Sequence, residues 1–459
     1  MNERYQEDLE YFLNFAESTR GKELDKKYPN ESMHLDFYFL HSKNELNNFI
    51  NTFLKQHKIN DDYDFYYFMN CIIKYMGGHI DAHTRIVMSD NDNAYPLSIQ
   101  AINNKLYVTK CSNEKYSYSE LVEINKVSIN KIIEEVEKFT SYGTTNWFLN
   151  RLHFYLNDKN ILLSLPSIKN NAKYIEYKTS KGIIKYEINK DYSKERALVR
   201  KEDFKQYQIK DNILIFKYPK CTDKFIPDIQ KIKKLIHDNN IDTFILDLRG
   251  NSGGRSSLIE TLIKYLKRTK LKLVTLVNKS VFSSGRMAAI DMLRIGSKIV
   301  GQDIGTPINC FGYIFGNGQL PNTKFTFNFA RVYWYEDEKK HTIKGIYTKK
   351  KLLKMPQNFY EPKYLKIDYY INLTIDDYKS GKDVMLEKCC NWIKKHWPGV
   401  TAKFYNWIVV KNQSKNILHI KKKNMKENNN CSNTRSNNFW SKCLSFIKRK
   451  SKQKNKQWD

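Results

Sequence analysis

The stretch 243–285 constrains the fold most, because a strand pattern, a glycine-rich turn and a helix pattern follow one another without interruption. Phe244 to Leu246 form a short apolar run, which is typical of a strand buried on both faces. The polar segment Arg249–Arg255 ends that strand, and apolar residues at helical spacing follow it. This succession aims several backbone N–H groups at one place, which stabilises either a bound phosphate or a transient oxyanion.

A pair of serines stands at a second turn of the same stretch. The predicted strand Leu271–Val277 leads to Ser283 and Ser284, and a helix pattern begins near Met287. Hydroxyls at a helix start beside an amide cluster suggest nucleophilic catalysis, for which a serine needs a nearby base. Ser-Ser-Gly is also a common helix start, so the pair alone does not establish a nucleophile. The glycine turn could also bind a nucleotide phosphate, although it lacks the Gly-Lys-Ser/Thr of a P-loop.

Charge and cysteine content narrow the class of protein. The net charge of +29 fits a lysine-rich surface or attraction to nucleic acid or anionic lipid. No recognisable nucleic-acid motif is present, so we predict no nucleic-acid partner. The eight cysteines are scattered without a CxxC pair, which favours free thiols in a reducing compartment.

The sequence contains no predicted targeting or membrane-spanning segment. Its N-terminus is charged and lacks the apolar core of a signal peptide. No uninterrupted apolar run reaches the roughly 18 residues that a spanning helix needs. We therefore expect a cytoplasmic protein.

Periodicity predicts helices at the start of the chain and an α/β layer in its centre. Apolar residues at helical spacing predict helices over Tyr63–Tyr75 and Ser128–Phe139. Tyr174–Lys178 and Ile183–Ile188 flank a Ser-Lys-Gly turn and predict a hairpin. The block 204–375 alternates strand and helix, which is typical of an α/β fold. We predict four regions: residues 1–84 helical, 85–202 β-rich, 203–400 catalytic, and 401–459 a basic, disordered tail.

The basic tail combines lysines with Phe439 and Trp440. An inert solvated tail is the preferred interpretation. Weak contact with an anionic membrane surface is the alternative.

His79 and His83 differ from the other histidines, because they lie in a polar stretch that closes an apolar helix pattern. Three interpretations compete. The spacing of two imidazoles by four residues is that of a zinc pair, but no third ligand is apparent and no metal is predicted. A structural histidine in a loop is the second. In the third, a histidine is a general base, with Asp81 and Thr84 holding its loop.

Four motifs in a fixed order resemble the C-terminal processing (tail-specific) serine peptidases, in particular their Ser-His branch with the tricorn protease core. The family's D-G-H-T box is similar to Asp81–Thr84, and its D-L-R-x-N-x-G-G box to Asp247–Gly254. Its serine segment is similar to Phe282–Gly285, and the glycine loop after it to Gly301–Gly305. The resemblance spans roughly residues 5–395 and implies a ClpP/crotonase-like catalytic core with a reduced PDZ-like middle region.

The resemblance implies a Ser-His-Glu acyl-enzyme mechanism that needs no cofactor. Ser283 would be the nucleophile and His83 the base, because the lysine of the family's other branch is absent from the segment after the serine. Glu361 is the candidate third member, and Glu336 and Glu338 are its rivals. The oxyanion hole would be formed by the N–H groups of Gly253 and Ser284. Three positions depart from the family pattern: Gln302, Thr306 and Lys363.

The predicted function is hydrolysis of peptide bonds in peptides or unfolded proteins. One alternative is a catalytically degenerate relative that still binds peptides. Another is a hydrolase of a different acyl bond on the same scaffold.

Overall fold

The computed structural model describes residues 1–16, 43–77, 81–88, 93–168, 172–200, 204–337, 342–346, 355 and 362–396. Contacts divide the chain into two compact units, Met1–Cys389 and Cys390–Asp459. Of the second unit, only residues 390–396 are described. The described elements form a mixed α/β fold with several sheets. No helix in these ranges is long and apolar enough to cross a membrane.

The chain begins with helices that build an aromatic-rich core. Asp8 lies in the first helix and is fully buried, where its carboxylate accepts hydrogen bonds from the N–H groups of Asn322 and Thr323 at 2.7 and 2.8 Å. This contact ties the first helix to a distant turn. The third helix confirms the predicted element and is buried along most of its length. The helices are α1 (Glu3–Asn14), α2 (Lys43–Gln56) and α3 (Asp62–Gly77).

An antiparallel sheet follows, with helices packed against it. The predicted hairpin and the helix after Ser128 are confirmed, and Ser128 caps that helix through its side chain. Three further helices in this region were not predicted. Strand β1 (Arg85–Val87) precedes this sheet and pairs with a later part of the chain. The strands of the sheet are β2 (Leu97–Ile102), β3 (Lys105–Cys111), β4 (Ser119–Ile124), β5 (Val127–Ser128), β6 (Tyr174–Thr179) and β7 (Gly182–Glu187), and the helices α4 (Ile129–Phe139), α5 (Thr145–Tyr155), α6 (Lys159–Ser164) and α7 (Ser193–Arg200).

The central sheet has six strands in the order β16-β12-β11-β10-β9-β8, all parallel except β8. Strand β10 is buried at every residue, as the apolar run predicted. The elements are β8 (Tyr207–Lys210), β9 (Ile213–Lys217), α8 (Ile229–Asp238), β10 (Thr243–Asp247), α9 (Glu260–Leu266), β11 (Lys272–Val277), α10 (Ser284–Arg294), β12 (Lys298–Gly301) and β16 (Tyr369–Tyr370).

A long antiparallel hairpin after β12 was not predicted. It carries β1 on one edge, so that the segment after His83 is paired with residues 326–328, far along the chain. Its strands are β13 (Cys310–Gln319), β14 (Thr326–Asp337) and β15 (Thr342–Ile346). The chain continues with α11 (Ile375–Lys379) and α12 (Val384–His396). Because β10 and β11 are parallel and adjacent, the glycine turn and the serine pair emerge at the same edge of the central sheet.

Candidate active site

Ser283 precedes helix α10 in a backbone conformation that is unusual for a residue with a side chain, with φ 52° and ψ −121°. Its hydroxyl does not cap the helix. Its backbone N–H donates to Thr306 Oγ1 at 3.0 Å. A conformation of this kind costs about 1–3 kcal/mol and persists only where the surroundings enforce it. A helix start explains neither the strain nor the uncommitted hydroxyl, so the simple capping interpretation does not account for Ser283.

Ser284 uses its side chain differently. Its hydroxyl donates to the backbone carbonyl of Gly254 at 2.6 Å, which fastens the helix start to the glycine turn. Its N–H has no acceptor in the described part of the chain. Of the two serines, Ser283 therefore has the available hydroxyl and Ser284 the available N–H.

The glycine turn lies directly against Ser283. Gly253 has φ +97°, and a Cβ at this position would lie 2.6 Å from Ser283 Cβ and 3.0 Å from Ser284 N. Only glycine fits here, both because of the left-handed backbone and because of this close approach. The N–H of Gly253 is donated to Asn251 Oδ1 at 2.9 Å, whereas the N–H of Gly254 has no acceptor among the described residues.

Asn251 holds the turn and the serine segment together. Its side-chain amide donates to the Tyr218 backbone carbonyl at 2.7 Å, and its backbone carbonyl accepts a hydrogen bond from the Phe282 N–H at 2.8 Å. It is fully buried. Because its side-chain oxygen also accepts the Gly253 N–H, both polar groups of the Asn251 amide are hydrogen-bonded. These bonds rigidify the loop, so that a sequence with several glycines keeps one conformation.

Asp247 and Arg249 hold the other end of the turn. The Arg249 guanidinium bridges the carboxylates of Asp247 and Asp383, at 2.7 and 2.6 Å. Because the Asp247 side chain is almost fully buried, this bridge compensates a charge inside the protein.

His83 lies in the loop between α3 and β1. The Asp81 carboxylate accepts the N–H groups of His83 and Thr84 at 2.8 and 2.9 Å and so holds this loop. The imidazole is buried, and its ring lies 4.5 Å from the Phe282 ring, centroid to centroid. Neither ring nitrogen has a hydrogen-bond partner in the described ranges.

Burial lowers the pKa of His83 from 6.5 to about 3, and the neighbouring positive charge of Arg286 acts in the same direction. The backbone carbonyl of Phe311 opposes this shift and favours the charged form, but its contribution to the pKa is smaller. The imidazole is therefore neutral at physiological pH and able to accept a proton.

The structure brings His83 and Ser283 to one cavity, although 200 positions separate them in the sequence. The cavity has a volume of about 760 Å³ and is also lined by Ser284 and Gly254. The imidazole is not hydrogen-bonded to the Ser283 hydroxyl. Such contacts are often long in the absence of substrate and shorten in its complex.

Of the three glutamates proposed as the third catalytic residue, only Glu336 lies within the described residues. Glu361 and Glu338 lie outside the described residues, as does His79 of the zinc alternative. Glu336 is half-buried on β14, and its N–H donates to Asn309 Oδ1 at 3.2 Å. Since neither imidazole nitrogen has a partner, Glu336 is not hydrogen-bonded to His83.

Several residues at the site were not assigned a role from the sequence. Thr306, noted only as a departure from the family pattern, holds the Ser283 backbone. Arg286 is buried beneath the site and donates to the carbonyls of Pro307 and Ile308 at 3.2 and 2.8 Å. Trp147, from the unpredicted helix α5, stacks on Phe282 at 4.0 Å. Only the Thr306 position carried a signal in the sequence.

Solved structures with a similar fold include relatives of the tail-specific peptidases. Mature CPAF has a TM-score of 0.54 at 11% identity, over 86% of this chain and 98% of that chain. Mature CPAF complexed with lactacystin has a TM-score of 0.54 at 10% identity, over 85% and 99%. The photosystem II D1 C-terminal processing protease has a TM-score of 0.38 at 11% identity, over 84% and 99%.

No protein-family model matches this chain, and no curated protein matches it significantly. The resemblance predicted from the sequence motifs is confirmed as a likeness of fold. At these identities the likeness shows the fold alone.

Proposed function

We propose that this protein is a serine endopeptidase that hydrolyses peptide bonds in peptides or unfolded proteins. One observation carries the proposal: the uncommitted hydroxyl of Ser283, on a strained turn, shares a cavity with the neutral imidazole of His83. Mature CPAF, which has a similar fold, is a relative of the tail-specific peptidases, and this agrees with the proposed activity. We also propose that the fold consists of a ClpP/crotonase-like catalytic core with a reduced PDZ-like middle region.

The proposed chemistry is acyl transfer. The Ser283 oxygen attacks the peptide carbonyl carbon while His83 takes the hydroxyl proton, and His83 then gives that proton to the leaving amine. Water, activated by His83, hydrolyses the acyl-enzyme and regenerates the serine. Glu361 would orient the imidazole and stabilise its charged form, and Glu336 and Glu338 are the rival positions for this role.

The oxyanion of the tetrahedral intermediate would be held by backbone donors. The N–H of Ser284 is available for this purpose. The N–H of Gly253 must first leave the Asn251 side chain, or the free N–H of Gly254 must take its place. The loss of one such donor typically lowers turnover about 10²- to 10³-fold.

A peptide-binding protein without activity is the second candidate function. Its supporting observation is the low pKa of His83, since an imidazole with a pKa of about 3 is a weak base. In this case the cavity would bind peptides without cleaving them.

Cleavage of an unfolded, fluorescently labelled protein distinguishes the two. We expect Ser283→Ala to abolish cleavage and Ser284→Ala, the matched control that loses a structural hydroxyl, to retain part of it. Equal cleavage by wild type and Ser283→Ala would refute the nucleophile. Binding without cleavage by the wild type would support the second candidate.

A further inference from the structure

The cavity of the proposed active site is positively charged. Among the described residues that line it are Arg85, Arg151, Arg255 and Arg286, and no aspartate or glutamate lines it. Three of these arginines have other partners: Arg286 donates to backbone carbonyls, Arg255 pairs with Asp223, and Arg85 takes part in further interactions. A cavity whose described lining carries arginines and no carboxylate attracts anionic groups.

Arg151 differs from the other three, because its guanidinium has no hydrogen-bond or ion-pair partner within the described chain. Its guanidinium carbon lies 4.5 Å from the Phe154 ring centroid, 5.0 Å from that of Tyr155 and 5.8 Å from that of Trp147. Aromatic rings hold a guanidinium in place without neutralising its charge, and its planar donors remain suited to a carboxylate. Arg151 is therefore held in position and still able to bind an anion.

Helix α5 places Arg151 in the same cavity as the proposed nucleophile. The Thr144 hydroxyl at its start donates to the Gly305 carbonyl at 2.5 Å, and Asn150 accepts a hydrogen bond from the Ser280 hydroxyl at 2.8 Å. Trp147 stacks on Phe282, the residue before Ser283. These ring distances place the guanidinium carbon no farther than about 10 Å from the Phe282 ring. An extended peptide advances about 3.3 Å per residue, so a peptide lying along the cavity would span the distance from the Phe282 ring to Arg151 with about three residues.

We propose that Arg151 is a specificity-determining residue that selects peptides with an acidic side chain a few residues from the cleaved bond. The inference rests on the proposed peptidase function and names its substrate class. The acidic side chain would accept hydrogen bonds from the guanidinium while its neighbours pack on Trp147 and Phe282. A hydrogen bond to a charged group in such a site changes binding by about 10- to 100-fold.

The test is a set of matched peptides in which one position, moved along the chain, carries Glu, Gln or Lys. We expect wild type to cleave the Glu peptide with a kcat/KM at least about tenfold above that of the Gln peptide at one position near the cleaved bond. Arg151→Gln should remove that preference, Arg151→Lys should restore part of it, and Arg151→Glu should transfer it to the Lys peptide. Arg255→Gln is the matched control, because it removes the same charge from the same cavity but from an arginine that is already paired.

The inference and the proposed function can fail separately. Cleavage of all three peptides at equal rates would overturn the role of Arg151 and leave the peptidase intact. An equal loss of the preference for the Glu peptide in Arg255→Gln would also overturn the role of Arg151, since the overall positive charge of the cavity would then explain the preference. If nothing is cleaved, the binding of fluorescent Glu and Gln peptides to Ser283→Ala at fixed ionic strength still decides. Tighter binding of the Glu peptide that Arg151→Gln abolishes supports the inference, and equal binding refutes it.

Discussion

Mild acid should destabilise this protein through His83. The folded pKa of about 3 lies below the ordinary value of 6.5, so between these values the unfolded chain binds a proton that the folded protein does not. Stability is therefore fully present above pH 6.5 and is lost as the pH falls toward 3. At pH 5 the expected loss from this one residue is about 2 kcal/mol.

The assay is urea unfolding of wild type and His83→Leu at pH 7.5 and pH 5. Other groups titrate equally in both proteins, so the difference between the two pH-dependent losses isolates the imidazole. We expect wild type to lose about 2 kcal/mol more than the variant. Equal losses would mean that a negative group offsets the burial of His83, and the reasoning from burial would be refuted.

Three substitutions test the geometry around the nucleophile and the turn. Gly253→Ala should lower peptide cleavage at least about 100-fold, because its Cβ would press on Ser283 and displace an N–H donor; retained kcat/KM would contradict this. The free energy of unfolding, measured with urea, should be about 1 kcal/mol greater for Ser283→Gly than for Ser283→Ala, because glycine adopts the observed backbone without strain. Equal values would argue against strain. Arg249→Gln should lower the free energy of unfolding by about 3–5 kcal/mol, because it leaves Asp247 buried and unpaired. Arg255→Gln, at an exposed ion pair, should lower it by less than about 1 kcal/mol. Similar losses in both variants would show that the burial of an ion pair does not determine its contribution to stability.

Strands β10 and β11 of the central sheet could be predicted, because their apolar runs are locally encoded. Strand β10 contains the apolar run Phe244–Leu246, and the turn after it has a left-handed backbone that favours glycine. The order of strand and helix then predicts the α/β layer. The β13–β14 hairpin was missed because its pairing is set by contacts with β1 and α3, which lie far away in the sequence.

The site could be predicted in part for the same reason. Ser283, Gly253 and His83 stand in motifs whose spacing is short and specific. The meeting of Ser283 and His83 in one cavity depends on β1 pairing with β14, which no local pattern encodes. Arg151 carried no signal, because an arginine among aromatic residues in a helix is ordinary until the helix packs beside Phe282.

The role of Glu361 stays a prediction, because that residue lies outside the described ranges. The same holds for Glu338 and for the basic tail, residues 401–459.

Labelling with a fluorophosphonate, followed by mass spectrometry of the peptides, tests whether Ser283 is a nucleophile activated by His83. We expect one adduct, on the Ser283 oxygen, that is absent from Ser283→Ala, greatly slowed in His83→Ala and kept in Ser284→Ala. An adduct on another residue, or labelling that is as fast without the imidazole as with it, would contradict this expectation.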